Sequence, residues 1–212
     1  MTPTPYYYTT LYKSTKDYWD LFRRVTDFLP RRTDEPYHSG PHNMQRFRMV
    51  YDLIHPRSVV EVGFNLGHSA CIWLALGVPK VQSIEAVWSK KRQEAVDAIQ
   101  TRYTDRFQIH WGHSRKFNTL GGIGAFGEQP GLVFIDGSHE CDWVTSDIQF
   151  ALALNAPYLL MDDYDSHHGS GVVEAVEKAG LIPVAIFGTM ALCRPATHFT
   201  KTSDPLGGNY YE

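Results

Sequence analysis

From residue 57 to residue 194 of this 212-residue chain, short β-branched runs alternate with helical stretches, and no other feature restricts the fold as much. SVVEV (58–62), VQSIEA (81–86), FQIHWG (107–112), LVFID (132–136) and YLLMDD (158–163) read as strands. HSACIWLALG (68–77), SKKRQEAVDAIQTRY (89–103), ECDWVTSDIQFALAL (140–154) and GVVEAVEKAG (171–180) read as helices. Such alternation predicts an α/β fold with a mostly parallel sheet covered on both faces. The last two runs, PVAIF (183–187) and MALCR (190–194), are separated only by Gly188-Thr189, too short a link for a crossover, so that pair is antiparallel. The expectation is a doubly wound, seven-stranded sheet with an antiparallel last strand. Ligands of such sheets bind beyond the carboxyl ends of the strands, so those ends are where chemistry is sought.

Ahead of this core, DYWDLFRRVTDFL (17–29) and NMQRFRMVYDLI (43–54) have helical spacing, which divides the chain into a helical extension (1–56), a core (57–194) and a tail (195–212). PYHSGPHN (36–43) reads as a connection or as a lid over the core, and the aromatic tail as a flexible segment or a contact in a homo-oligomer. With 43% hydrophobic residues the chain can bury one continuous core. Its 20 basic and 23 acidic residues, net charge -3, give no basic track for nucleic acid or an anionic membrane, which leaves a small molecule as the partner. Three scattered cysteines, Cys71, Cys141 and Cys193, argue for reduced thiols, and no apolar run approaches the ~20 residues that span a bilayer. A soluble, cytoplasmic protein is expected.

The first strand ends in Glu61-Val-Gly-Phe-Asn-Leu-Gly-His-Ser69, where Gly63 and Gly67 bring backbone close to a ligand at a helix start. The third glycine of the dinucleotide fingerprint is missing, which favours a smaller nucleoside over a pyrophosphate. Glu85 ends the second strand, where an acid accepts hydrogen bonds from ribose hydroxyls, and Gly112-His-Ser114 ends the third. Asp136 ends the fourth strand and Asp162-Asp163 the fifth. Neighbouring strand ends lie about 5 Å apart, so the three carboxylates are expected to converge. Like charges at that range raise one another's pKa unless a cation intervenes, and all-oxygen ligation suits Mg²⁺ or Ca²⁺. The plainer reading is an Asp-Gly turn and a cap. Three residues past Asp136 stands His139, and imidazole, with an ordinary pKa near ~6.5, is an effective proton acceptor at neutral pH. His38, His42, His167 and His168 are further candidates near the rim.

Taken in order, ExGxxxGxS at 61–69, Glu85, GxS at 112–114, Asp136 and Asp162-Asp163 resemble the class I S-adenosylmethionine-dependent O-methyltransferases, in particular the metal-dependent catechol-type and macrocin/mycinamicin sugar-type branches. The resemblance covers about 57–165 and extends loosely to 194. It implies that Glu61, Gly63, Asn65, Gly67 and Ser69 surround the methionine part of S-adenosylmethionine, that Glu85 binds its ribose, and that His113 and Ser114 border its adenine. Asp136 is implied to lie against the cofactor and, with Asp162 and Asp163, to hold Mg²⁺. His139 stands where the catechol branch has a lysine as general base and looks more like the sugar branch, while Asp163 replaces an asparagine of the catechol branch, which favours metal binding and disfavours a catechol substrate. The implied reaction is methyl transfer to a hydroxyl of a small molecule such as a sugar, polyol or phenol. A non-catalytic cofactor-binding module would need no convergent acids, and a metal-dependent hydrolase or hydroxylase would need no nucleoside pocket.

Overall fold

The computed structural model describes residues 6–7, 15–30, 40–165 and 170–196. A two-residue strand, β1 (Tyr6–Tyr7), precedes the helices α1 (Thr15–Thr26) and α2 (Gly40–Ile54). The alternating region follows as β2 (Ser58–Val62), α3 (His68–Ala75), β3 (Lys80–Glu85), α4 (Lys90–Arg102) and β4 (Phe107–Trp111). Two short helices, α5 (Ser114–Phe117) and α6 (Leu120–Gly124), lead into β5 (Leu132–Ile135), α7 (Cys141–Ala153), β6 (Leu159–Met161), α8 (Ser170–Lys178), β7 (Leu181–Phe187) and β8 (Met190–Pro195). The order across the sheet is β4-β3-β2-β5-β6-β8-β7-β1. β2 to β6 are parallel, and β8 is antiparallel to both its neighbours.

The seven expected strands form, and β1 adds an eighth among the described residues by pairing with Ala185 and Ile186 of β7. Nothing in a Tyr-Thr-rich start marks that pairing, because its partner lies at the far end of the chain. Pro183, which lacks an N–H, sits where the β7–β8 register shifts and ahead of the short stretch that β1 covers, so the sheet loses little by it. The lid reading of 36–43 is half answered: Gly40–Asn43 are the first turn of α2, and 36–39 lie outside the described residues, as do His38, His167 and His168 and the tail from 197.

Side chains along each strand alternate between two apolar clusters, which is why buried parallel strands read as unbroken hydrophobic sequence. Val59, Phe134 and Leu160 face the cluster completed by Phe22 of α1, Phe47 of α2 and Trp73 of α3. Val60, Val133, Ile135 and Met161 face the other, completed by Val144 and Ile148 of α7 and Val176 of α8. Phe47 rests 4.5 Å from the Trp73 ring and edge-on at 5.1 Å to Phe134, so α2 is bolted to the sheet by fully buried aromatics. Truncating such a ring to alanine costs about 3–5 kcal/mol. Chain order reverses between β2 and β5: β3 and β4 lie on one side, β5 and β6 on the other, which opens a crevice at the carboxyl rim.

Candidate active site

At that crevice lies a cavity of about 1010 Å³. It is lined by Gly63, Asn65, Ser69, Glu85, His113, Ser114, Asp136, His139, Asp162 and Asp163, all of which the sequence singles out. Ladder hydrogen bonds that run one residue past each strand align the rim: Gly63 N to Ile84 O (3.0 Å), Gly112 N to Glu85 O (2.8 Å), Asp136 N to Val62 O (2.9 Å) and Asp162 N to Ile135 O (3.0 Å). Gly63, Gly112, Asp136 and Asp162 are therefore each held by the strand beside them.

Gly63 has φ +100°, and a Cβ there would stand 2.0 Å from the Asp136 carbonyl oxygen. Only glycine lets the β2 turn pass so close to the β5 turn. The Glu85 carboxylate accepts from Asn65 N (2.8 Å) and Val87 N (2.9 Å), with Arg92 Nε at 3.7 Å. It is thus aimed into the cavity by backbone amides. At the neighbouring strand end the Ser114 hydroxyl donates to Asp147 Oδ1, and His113 stacks on Trp143 at 5.1 Å. Arg115 lies over the same indole at 4.1 Å, within cation–π range.

Two of the expected cofactor residues take other places. Glu61 is fully buried under the rim, not on the cavity surface; Ser69 Oγ donates to its Oε1 and Ser83 Oγ to its Oε2 (2.6 Å). Burial pushes its carboxyl up to about 7, against the pull of the two hydroxyls. Gly67 lies in the wall behind the turn, where a Cβ would strike Ile99 and Phe64. Both serve the site through residues that reach it, Glu61 by orienting Ser69 and Gly67 by letting α3 begin.

On the other side of the crevice, burial and then the neighbouring Asp162 raise the Asp136 carboxyl well above its ordinary value. Asp162 is pushed up to about 6, first by burial and next by Asp163, and its Oδ1 accepts the Asp163 N–H at 3.0 Å. Asp163 Oδ2 stands 3.2 Å from His139 Nε2, in the loop before α7. Among the described residues no three His, Cys, Asp or Glu side chains are grouped to hold a metal ion. The donors suit a hard cation in kind, since three carboxylates on adjoining strand ends include two desolvated acids, Asp136 raised further by Asp162 and Asp162 by Asp163.

Sequence reasoning missed Trp143 and Asp147, although an aspartate one turn after a tryptophan, on the same face of a helix that follows a strand-end acid, is a readable signal. Asn43, Arg46 and Thr189 also line the cavity, and no local pattern announces them.

Residues 60–164 match the profile of a family described as a methyltransferase domain. No curated protein matches the sequence. Among solved structures, the S-adenosylhomocysteine-bound methyltransferase PaMTH1 of Podospora anserina is similar with a TM-score of 0.61 at 14% identity, covering 87% of this chain and 88% of that one. An O-methyltransferase from Bacillus cereus in complex with S-adenosylhomocysteine gives 0.53 at 16%, covering 88% and 93%. MycE of the mycinamycin pathway, in complex with Mg, S-adenosylhomocysteine and mycinamycin VI, gives 0.55 at 13%, covering 84% and 53%. At such identities the likeness is one of fold.

The fold is that of the class I, S-adenosylmethionine-dependent methyltransferases. Among the described residues no helix is long and apolar enough to cross a membrane.

Proposed function

We propose that the protein transfers the methyl group of S-adenosylmethionine to a hydroxyl of a small molecule, with His139 as the base and Asp136, Asp162 and Asp163 as ligands of Mg²⁺. The observation that carries this reading is a single cavity that joins the Gly63 turn and Glu85 to His139 and the three carboxylates. MycE, which shares the fold, is described in complex with Mg, S-adenosylhomocysteine and mycinamycin VI, which supports a metal-assisted reaction. When bound, the cofactor's sulfonium supplies an activated methyl group, and the cation supplies an electrophile for the acceptor oxygen.

Glu85 binds the ribose hydroxyls, to which its backbone-fixed carboxylate offers free lone pairs. Ser69, whose O–H is spent on Glu61, turns acceptor lone pairs towards the methionine ammonium, while Gly63 and Asn65 flank that end. His113 and Ser114 border the adenine. A carboxylate accepts hydrogen bonds and cannot donate them, so Asp163 favours the tautomer of His139 with its proton on Nε2, leaving Nδ1 as the base. Nδ1 would take the proton of the acceptor hydroxyl as its oxygen receives the methyl group that the bound cofactor would supply, S-adenosylhomocysteine being the other product. Asp163 offsets the imidazolium that results.

The test is turnover of radiolabelled methyl groups on a panel of polyhydroxylated acceptors, with and without exhaustive chelation. Activity that needs added Mg²⁺ and collapses in His139→Ala is the expected result. Full activity after chelation removes the cation from the mechanism, and full activity in His139→Ala removes the base.

A further inference from the structure

One stretch of the cavity wall is rich in hydrogen-bond donors. Arg46 Nη1 donates to Asn43 Oδ1 at 3.2 Å and to Thr189 Oγ1 at 3.0 Å. A guanidinium has no acceptor, so the amide atom that meets it is the oxygen, which leaves both N–H bonds of Asn43 Nδ2 to point elsewhere. Thr189 Oγ1 has likewise spent a lone pair and keeps its O–H to donate. Arg46 Nε and Nη2 carry three more N–H bonds that have no hydrogen-bond partner among the described residues. All three side chains are half-buried and line the cavity.

The fold brings them together from distant places. Only residues 55–57 separate α2 from β2, so α2 ends at the foot of the sheet and its first turns lie at the carboxyl rim. The turn between β7 and β8 reaches the same rim because Met161, the last residue of β6, pairs with Ala191. Gly188 in that turn has φ +65°, and a Cβ on it would stand 2.6 Å from Arg46 Nη2, so the turn is pared down to admit the guanidinium. Thr189 O accepts from Tyr164 N at 2.6 Å, which ties the turn to the Asp162-Asp163 segment.

A structural arginine that merely joined α2 to this turn would satisfy its fork with carbonyls or a carboxylate. Arg46 does neither: it forms no ion pair with a described carboxylate, although Asp162 is near enough to feel its charge. The cation, the amide N–H bonds and the hydroxyl are a receptor for an anionic group with two or three oxygens. Resting on the reading of this cavity as a methyltransferase site, we propose that Asn43, Arg46 and Thr189 bind a carboxylate or phosphate group of the acceptor, which is therefore an anionic hydroxy compound rather than a neutral one. Arg46 is a specificity residue here and takes no part in moving the proton.

The experiment is calorimetry on the full chain saturated with S-adenosylhomocysteine, using two probe pairs: 3,4-dihydroxybenzoate against catechol, and glucose 6-phosphate against glucose. In at least one pair the anionic member binds about tenfold tighter or more, as one charge-assisted contact gives. Which pair shows the preference separates carboxylate from phosphate. Arg46→Gln abolishes the preference and leaves affinity for S-adenosylhomocysteine unchanged. Should Arg46→Gln also lose that affinity, Thr189→Val, which retains the guanidinium, must weaken the preference by itself. Equal binding of charged and neutral probes, no binding of any probe, a preference that survives Arg46→Gln, or an unaltered preference in Thr189→Val where that variant decides, each overturns the proposal. If the wild-type chain fails to bind S-adenosylhomocysteine at all, the methyltransferase reading falls first and the subsite with it.

Discussion

The two sides of the crevice are held in different ways. On the β2 and β3 side the turn glycine and the terminal acid are placed by main chain: Glu85 by the amides of Asn65 and Val87, Gly63 by its N–H to the carbonyl of Ile84. Around β6, β7 and β8 they are placed by one another's side chains, Asp163 against His139 and Arg46 between Asn43 and Thr189. A backbone-set pocket is rigid and holds one shape, which suits an invariant ligand. A side-chain-set pocket is changed one residue at a time without disturbing the sheet, which suits a ligand that differs between relatives.

That contrast breaks most visibly at two residues on opposite sides. His139→Ala lowers methyl transfer by roughly 10²–10⁴-fold, the range for loss of a general base, while affinity for S-adenosylhomocysteine stays the same; a parallel loss of affinity would erase the distinction between the sides. Gly63→Ala acts in the reverse sense. Its Cβ meets backbone that cannot yield, in a left-handed conformation, so unfolding by denaturant shows a loss of about 3 kcal/mol or more, and cofactor affinity falls with it. Gly137→Ala is the control: its nearest contact is 3.4 Å away and its φ is unremarkable, so the fold is retained.

A smaller effect comes from the buried acid beside Ser114. Burial pushes Asp147 from 3.8 to about 6, only partly offset by the Ser114 hydroxyl. The unfolded chain gives up this proton near 3.8 and the folded chain near 6, so the folded state holds more protons in between, and stability falls as pH rises through that window. The contribution is bounded at roughly 3 kcal/mol, lost in full above about pH 6. Asp147→Asn keeps an acceptor for Ser114 and makes the stability profile less steep between those values. A comparable slope between about 4.5 and 7 comes from Glu61, whose proton is likewise held more tightly in the folded state. Smallest of all, Ser89 caps α4 by accepting from Arg92 N at 3.2 Å, and Ser89→Ala costs about 1 kcal/mol in thermal unfolding without altering acceptor selectivity.

Much of this was legible before any coordinates. Apolar runs such as LVFI and SVVEV can only be strands with two buried faces, and the acids, glycines and serines that end them had to share a rim once the strands were parallel. His139, Glu85 and the three aspartates stood out for that reason. Glu61 stood out too, but not its depth: the same motif suits a residue on the surface of a pocket or beneath it, and only packing by Ser69 and Ser83 settles which. β1 and the helices α5 and α6 were not legible, since two to five residues carry no period long enough to read. Asp147 gave a signal that was passed over.

By itself the amino-acid order determined the layering of the fold, the parallel direction of its strands and the chemical character of the rim, because these follow from local periodicity and from what ends each strand. Tertiary structure alone decided that Asp163 faces His139 and that Arg46 meets Thr189, 143 positions away. Contacts of that kind depend on how helices and a terminal hairpin dock against a finished sheet, and a distance closed by docking leaves no period in the chain.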